Sequence, residues 1–208
     1  MVNQVKQVRK IRPTRRSVSG VYMLRGKTAI PYESTLERDF LIKLEHDRHV
    51  LNVTPQPCQL TFKANNGQNY PYTPDFHISY SNQRPWLVEV KPESEWRAHW
   101  REWLPKWKAA WRYASERGWV FHIQDETRIR DQTLANLNWL ERYTRMQPAV
   151  MQTSNLMAKV VAQGCLQAGA VAPSDQAYLW HLLSVGRLDC DMTKPLSGET
   201  LLWISNHG

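Results

Sequence analysis

The run Trp86-Leu87-Val88-Glu89-Val90-Lys91 is apolar and rich in β-branched residues except at two positions, and both of those fall on one face. Side chains alternate along a strand, so Glu89 and Lys91 point one way while Val88 and Val90 point the other. The apolar face must be covered by another layer, and the opposite face must hold an acid and an ammonium in a polar pocket. Fourteen residues before Glu89, Pro74-Asp75 lies in a second β-rich run, Tyr72–Tyr80, and Ser81-Asn82-Gln83 supplies a turn between the two runs. Folded as antiparallel neighbours, these strands bring Asp75 to the patch of Glu89 and Lys91. Such a patch suits a divalent cation, which takes oxygen ligands, and a phosphate, whose charge the lysine stabilises. Each residue also has an ordinary reading, Asp75 as a turn residue and Glu89 with Lys91 as a surface ion pair.

The surrounding pattern alternates helix and strand. Ser34-Thr35-Leu36-Glu37 has the spacing of a capping box, and Leu36, Phe40 and Leu44 follow on one helical face, which predicts a helix over 35–47. Residues 49–53 and 59–63 read as strands around Pro55 and Pro57, and Asn65-Asn66-Gly67 is a turn expected to close a hairpin onto 72–80. Trp96, Trp100, Trp103, Trp107 and Trp111 recur at helical spacing within 93–117, with a kink or break expected at Pro105. That stripe reads as the face packed on the sheet, the other reading being a base-stacking platform. A strand over 119–123 and a helix over 130–146 follow. Residues 149–208 read as two helices, 154–166 and 174–185, and two short strands, 187–192 and 199–204, a helical or winged-helix-like ending.

Charge divides the chain. The first 30 residues carry eight cations and no acid, 31–148 carry a net +1, and 149–208 a net −1. A basic arm with few apolar residues is expected not to fold alone and to seek a polyanion, with Lys6, Arg9, Lys10, Arg12, Arg15 and Arg16 as candidate DNA contacts; a solubilising tail is the bland alternative. The expected division is therefore an arm at 1–30, a catalytic domain at 31–148 and a partner-binding domain at 149–208. Three cysteines without a C-x-x-C argue against a disulfide framework or a zinc site. No apolar run reaches the roughly 18 residues a membrane helix needs, and no apolar segment follows the basic start as in a secretory signal. A cytoplasmic, DNA-associated protein is expected, with no membrane partner.

The ordered set of helix Glu37, Pro74-Asp75 and Glu89-Val90-Lys91 resembles the PD-(D/E)XK nucleases. With Thr73-Pro74-Asp75-Phe76 and the following helix and strand, it is similar over about 30–145 to the TnsA-like endonuclease subunits of heteromeric transposases. The resemblance implies a restriction-endonuclease-like mixed α/β sheet flanked by helices. It also implies Mg²⁺-dependent hydrolysis of DNA at the 5′ ends of a bacterial transposon, with Mn²⁺ as a substitute. Partners implied are double-stranded DNA at the transposon ends, a DDE-type (TnsB-like) transposase and an AAA+ (TnsC-like) ATPase regulator. Glu37, Asp75 and Glu89 become metal ligands and Lys91 a catalytic lysine. Glu37 competes with its own role as a cap, and Glu33, ahead of the cap, is the rival acid. Gln56 matches a Gln-Pro element near the site. His77 shares the Asp75 face as either a ligand or a buried strand residue. The alternative functions are an adaptor that keeps the fold without using the acids, and a stand-alone restriction or resolvase-type nuclease.

Overall fold

The computed structural model describes residues 5–8 and 18–205, in two units, 1–129 and 130–208. The first unit begins with the hairpin β1 (Gly20–Leu24) and β2 (Thr28–Tyr32), then α1 (Thr35–His46) and β3 (Val50–Pro55). A second hairpin, β4 (Leu60–Lys63) and β5 (Asn69–Tyr72), precedes β6 (Phe76–Tyr80) and β7 (Trp86–Val90). The unit closes with α2 (Glu93–Ser115), β8 (Val120–Gln124) and the single turn α3 (Glu126–Ile129). Its central sheet has the order β3-β6-β7-β8, antiparallel except for the β7–β8 pair, which α2 connects as a parallel crossover.

The alternation read from β7 determines which helix covers which face. Phe76 pairs with Val88, and Phe40 of α1 packs its ring on Phe76 at 6.1 Å, so α1 covers the valine face. Leu87 clusters instead with Ala110 and Ala114 of α2 and with Cys58, Leu60 and Tyr72. The mixed α/β sheet between helices is the expected restriction-endonuclease-like layering.

Several expectations need correction. The arm does not extend to residue 30, because β1–β2 alternates Tyr22 and Leu24 inward, buries Ile30, and is clipped to α1. Tyr22 donates its hydroxyl proton to Glu45, and the guanidinium of Arg25 reaches the carbonyls of Asp47 and Val50 at 3.1 and 2.9 Å. Few apolar residues are enough when a neighbouring helix supplies the rest of the core. The strand at 60–63 pairs with β5 rather than with 72–80, since Gly67 at φ 82° turns the chain back within five residues, from Ala64 to Gln68. Finally, α2 runs unbroken through Pro105. Proline leaves the Arg101 carbonyl without its helical donor, and the Asn65 side-chain amide donates to it at 3.3 Å.

The tryptophan stripe divides in the same helix. Trp107, Ala110 and Ala114 are buried, whereas Trp100 and Trp111 are 43% and 59% exposed, so the core face lies to one side of the stripe and not along it.

The second unit contains α4 (Gln132–Thr144), α5 (Val150–Gln163), β9 (Leu166–Gln167), a 3-10 turn, α6 (Pro173–Ser184), β10 (Leu188–Asp189) and β11 (Leu201–Ile204). The strands form an antiparallel sheet, β10-β11-β9, over a core of Leu140, Leu156, Val160, Leu179 and Leu202. The expected helix pair and hairpin are present. The helix at 130–146, expected to close the catalytic domain, belongs to this unit: Leu140 joins its core, and buried Asn136 donates to the carbonyls of Met192 and Lys194 at 3.0 and 2.7 Å. The second unit therefore starts at 130, not 149. Gly169 and Gly198 let the 3-10 turn touch the loop before β11, as a Cβ on Gly169 would lie 2.9 Å from the Gly198 carbonyl oxygen.

Candidate active site

Asp75 stands just ahead of β6, where the register continues to Glu89 of β7. Backbone bonds hold it on both sides: its amide donates to the Val88 carbonyl at 3.0 Å, and its carbonyl accepts from the Gln56 amide at 2.7 Å. Its carboxylate accepts the Val90 amide at 2.7 Å, which fixes the side chain across the end of β7. The residue keeps some solvent-exposed surface, while its carboxyl is enclosed by protein. Burial, reinforced by the charge of Glu89, pushes Asp75 well above the usual carboxylate range; Lys91 opposes this.

Glu89 is 2% exposed. The Tyr72 hydroxyl donates to one of its oxygens at 2.7 Å, and the Lys106 ammonium reaches the other at 3.2 Å. Burial and the neighbouring Glu89 charge hold the Tyr72 hydroxyl far above its normal value, so it remains a donor.

Glu37 is buried in the first turn of α1. Its amide donates to the Ser34 hydroxyl at 3.1 Å, the Ser34 hydroxyl donates back at 3.0 Å, and the Glu33 amide donates to its other oxygen at 2.9 Å. The capping box closes on Glu33 rather than on Ser34 itself. Burial raises the Glu37 carboxyl despite these bonds and despite the nearby Lys91 charge. Glu33 lies ahead of the cap and adds like charge to Glu37.

Lys91 ties these groups together. Burial works to lower its ammonium, yet Asp75, Glu89, Glu37 and Glu95 outweigh this and hold it above its ordinary value. Among the described residues that ammonium makes no hydrogen bond or ion pair, in contrast to Lys106. The structure thus brings Glu37, Asp75, Glu89 and Lys91 into one electrostatic cluster with an uncommitted cation.

Gln56 adjoins the cluster through its backbone. It has φ 46°, an uncommon conformation for a residue with a Cβ, and its buried side-chain oxygen lacks a partner among the described residues. His77 shares the face but not the site. Its ring packs on Trp119, tilted by 46° with centroids 4.1 Å apart; among the described residues neither ring nitrogen is hydrogen-bonded, and burial lowers its pKa to about 4. Of the arm cations only Lys6 is described, and it is exposed; Arg9, Lys10, Arg12, Arg15 and Arg16 lie outside the described residues.

Tyr72 and Lys106 are the site residues that the sequence reading missed. Lys106 had a visible signal, a cation one turn from Trp103 and Ala110 on the apolar side of α2, where only a buried acid accounts for it. Among the described residues no three His, Cys, Asp or Glu side chains form a ready-made metal cage. The donor chemistry nevertheless fits a hard cation, because crowded carboxylates with raised proton affinity are relieved by positive charge.

Residues 47–126 match the family model described as TnsA-like endonuclease N terminal. The match spans Asp75, Glu89, Lys91 and Lys106, while Glu37 lies ahead of it. No curated protein matches the chain.

Proposed function

Residues 47–126 are a TnsA-like endonuclease domain, and on that premise we propose that this nuclease is a divalent-cation-dependent DNA endonuclease cutting the 5′ ends of a transposon. The observation that carries the reading is the cluster of mutually repelling carboxylates, Glu37, Asp75 and Glu89, around the uncommitted Lys91 ammonium. Asp75 and Glu89, with Glu37, would hold Mg²⁺, with Mn²⁺ as a substitute. The cation would polarise the phosphate and favour water attack. Lys91 places a fixed positive charge where charge grows on the phosphate, at no cost in reorganisation. Lys106 and Tyr72 hold the Glu89 carboxylate in one orientation, and the Val90 amide does the same for Asp75.

The second unit, with no net charge over 130–208, is assigned to protein contact, with a DDE-type transposase and an AAA+ ATPase as its partners, since that balance does not favour phosphate. No helix among the described residues is long and apolar enough to cross a membrane, and a cytoplasmic, DNA-associated setting is part of the same proposal. The test is DNA nicking in Mg²⁺ with the transposase partners present. Asp75→Ala and Glu89→Ala should abolish it, and Lys91→Ala should lower it by about 10²-fold or more while sparing metal affinity. Wild-type rates in both carboxylate variants would refute the assignment.

A further inference from the structure

The amide of Asn65 that satisfies the Arg101 carbonyl also docks the β4–β5 hairpin on α2, and between them runs a groove of about 550 Å³. Its lining is largely aromatic: Phe62 and Tyr70 of the hairpin and Trp103 of the helix, with Asn66 beside them. Tyr72 and Lys106, whose side chains hydrogen-bond Glu89, line it as well. These two residues therefore stand between the groove and the carboxylate cluster and touch both.

We propose that this groove is a stacking site for an unpaired nucleobase of the strand whose phosphate lies at Asp75 and Glu89. Three features select that occupant. The Phe62 and Tyr70 rings, 6.1 Å apart, give the hairpin side an aromatic surface on which a base of any sequence can stack, while Trp103 already carries His99 and Lys106 against its ring. The Tyr70 hydroxyl accepts from the Asn66 amide at 3.0 Å and donates to Gln68 at 2.8 Å, and the Asn66 oxygen accepts the Gln68 amide at 3.0 Å, which leaves the second Asn66 amide hydrogen and a carbonyl lone pair for a base edge. Lys106 lies over the Trp103 and Tyr72 rings, 4.4 and 5.1 Å from their centroids, which puts a cation where the backbone of a stacked nucleotide would turn toward Glu89. A duplex keeps its bases stacked on one another, so only a base freed from pairing can enter such a groove. The volume lies within the range of small-ligand sites.

The proposal rests on the DNA-cleaving reading, and binding without cleavage separates the two. The full chain, in the presence of a chelator, is titrated with a paired duplex and with the same duplex bearing a short single-stranded 5′ extension that contains 2-aminopurine. The wild type should bind the extended DNA about tenfold more tightly than the duplex, the gain from one stacked base, and should quench the 2-aminopurine fluorescence. Tyr70→Ala, at an exposed hairpin position, and Trp103→Ala should lose both the preference and the quenching while binding the duplex as before. An extension bound no better than the duplex, or a preference kept in both variants, overturns the stacking site and leaves the nuclease reading intact. Failure of the wild type to bind either DNA overturns both.

Discussion

His77 carries two buried ring nitrogens with no partner among the described residues, and this couples the stability of the first unit to acid. Its pKa of about 4 lies below that of an unfolded histidine, near 6.5, so between those values the unfolded chain binds a proton that the native ring refuses. Stability is complete above about pH 6.5 and is lost as pH falls toward 4, by up to about 3 kcal/mol. His77→Phe keeps a ring on Trp119 and removes the proton. Thermal melts at pH 7.5 and 4.5 should show a smaller acid loss in the variant than in the wild type, and equal losses would mean that the ring is solvated. Parity along the strand was legible in the sequence: it places Asp75, His77, Glu89 and Lys91 on one face. What parity does not carry is position along that face. Trp119 covers His77, while the strand end belongs to Asp75 and Glu89, so the histidine is separated from the acids by packing that no local pattern encodes.

At the scale of elements, α1 gives one side chain, Glu37, both the cap it makes and the ligand role proposed for it. Glu37 accepts from the Glu33 amide and the Ser34 hydroxyl, and glutamine offers an oxygen to the first and an amide donor to the Ser34 oxygen. Glu37→Gln should therefore change thermal stability by less than about 0.5 kcal/mol, and a melting curve measures this. The same change should eliminate nicking if the charge is a ligand; full nicking activity would leave Glu37 a cap only. The boundaries of α1, β7 and β8 were legible because periodicity and capping chemistry are local. The fate of Pro105 was not, because a side chain forty residues earlier, Asn65, satisfies the carbonyl that the proline frees. The β1–β2 hairpin was missed for a similar reason: its inward residues are few, and their burial partners are on α1. Likewise the tryptophan stripe predicted an amphipathic helix correctly, but its centre is not the centre of the buried face. Two small residues, Ala110 and Ala114, let α2 approach the sheet where tryptophans would hold it off.

Over the whole molecule, charge is segregated by position: +8 in the first 30 residues against nearly none in the rest. Two of those cations, Arg25 and Lys27, belong to the hairpin, and Arg25 is spent on carbonyls of the α1–β3 connection. The remaining six precede the hairpin. Residues 5–8 run beside the end of β3, where the Val8 amide donates to the Gln56 carbonyl at 2.9 Å, and the Gln56 amide in turn donates to Asp75. Two consecutive backbone hydrogen bonds thus lead from the arm to the carboxylate cluster, so phosphates held by the arm would lie along the approach to the site. Replacing Lys6, Arg9, Lys10, Arg12, Arg15 and Arg16 by glutamine removes charge and keeps the backbone that makes these contacts. Each phosphate contact contributes about 0.9 to the slope of log affinity against log salt, so the magnitude of that slope should fall by up to about 5 in the six-fold variant. Thermal stability should stay within about 0.5 kcal/mol, because Val5 and Val8 make their contacts through backbone groups that the substitutions leave in place. Titration of one duplex at several salt concentrations measures the slope. An unchanged slope would mean that the arm touches no phosphate, and the cations would then serve solubility alone.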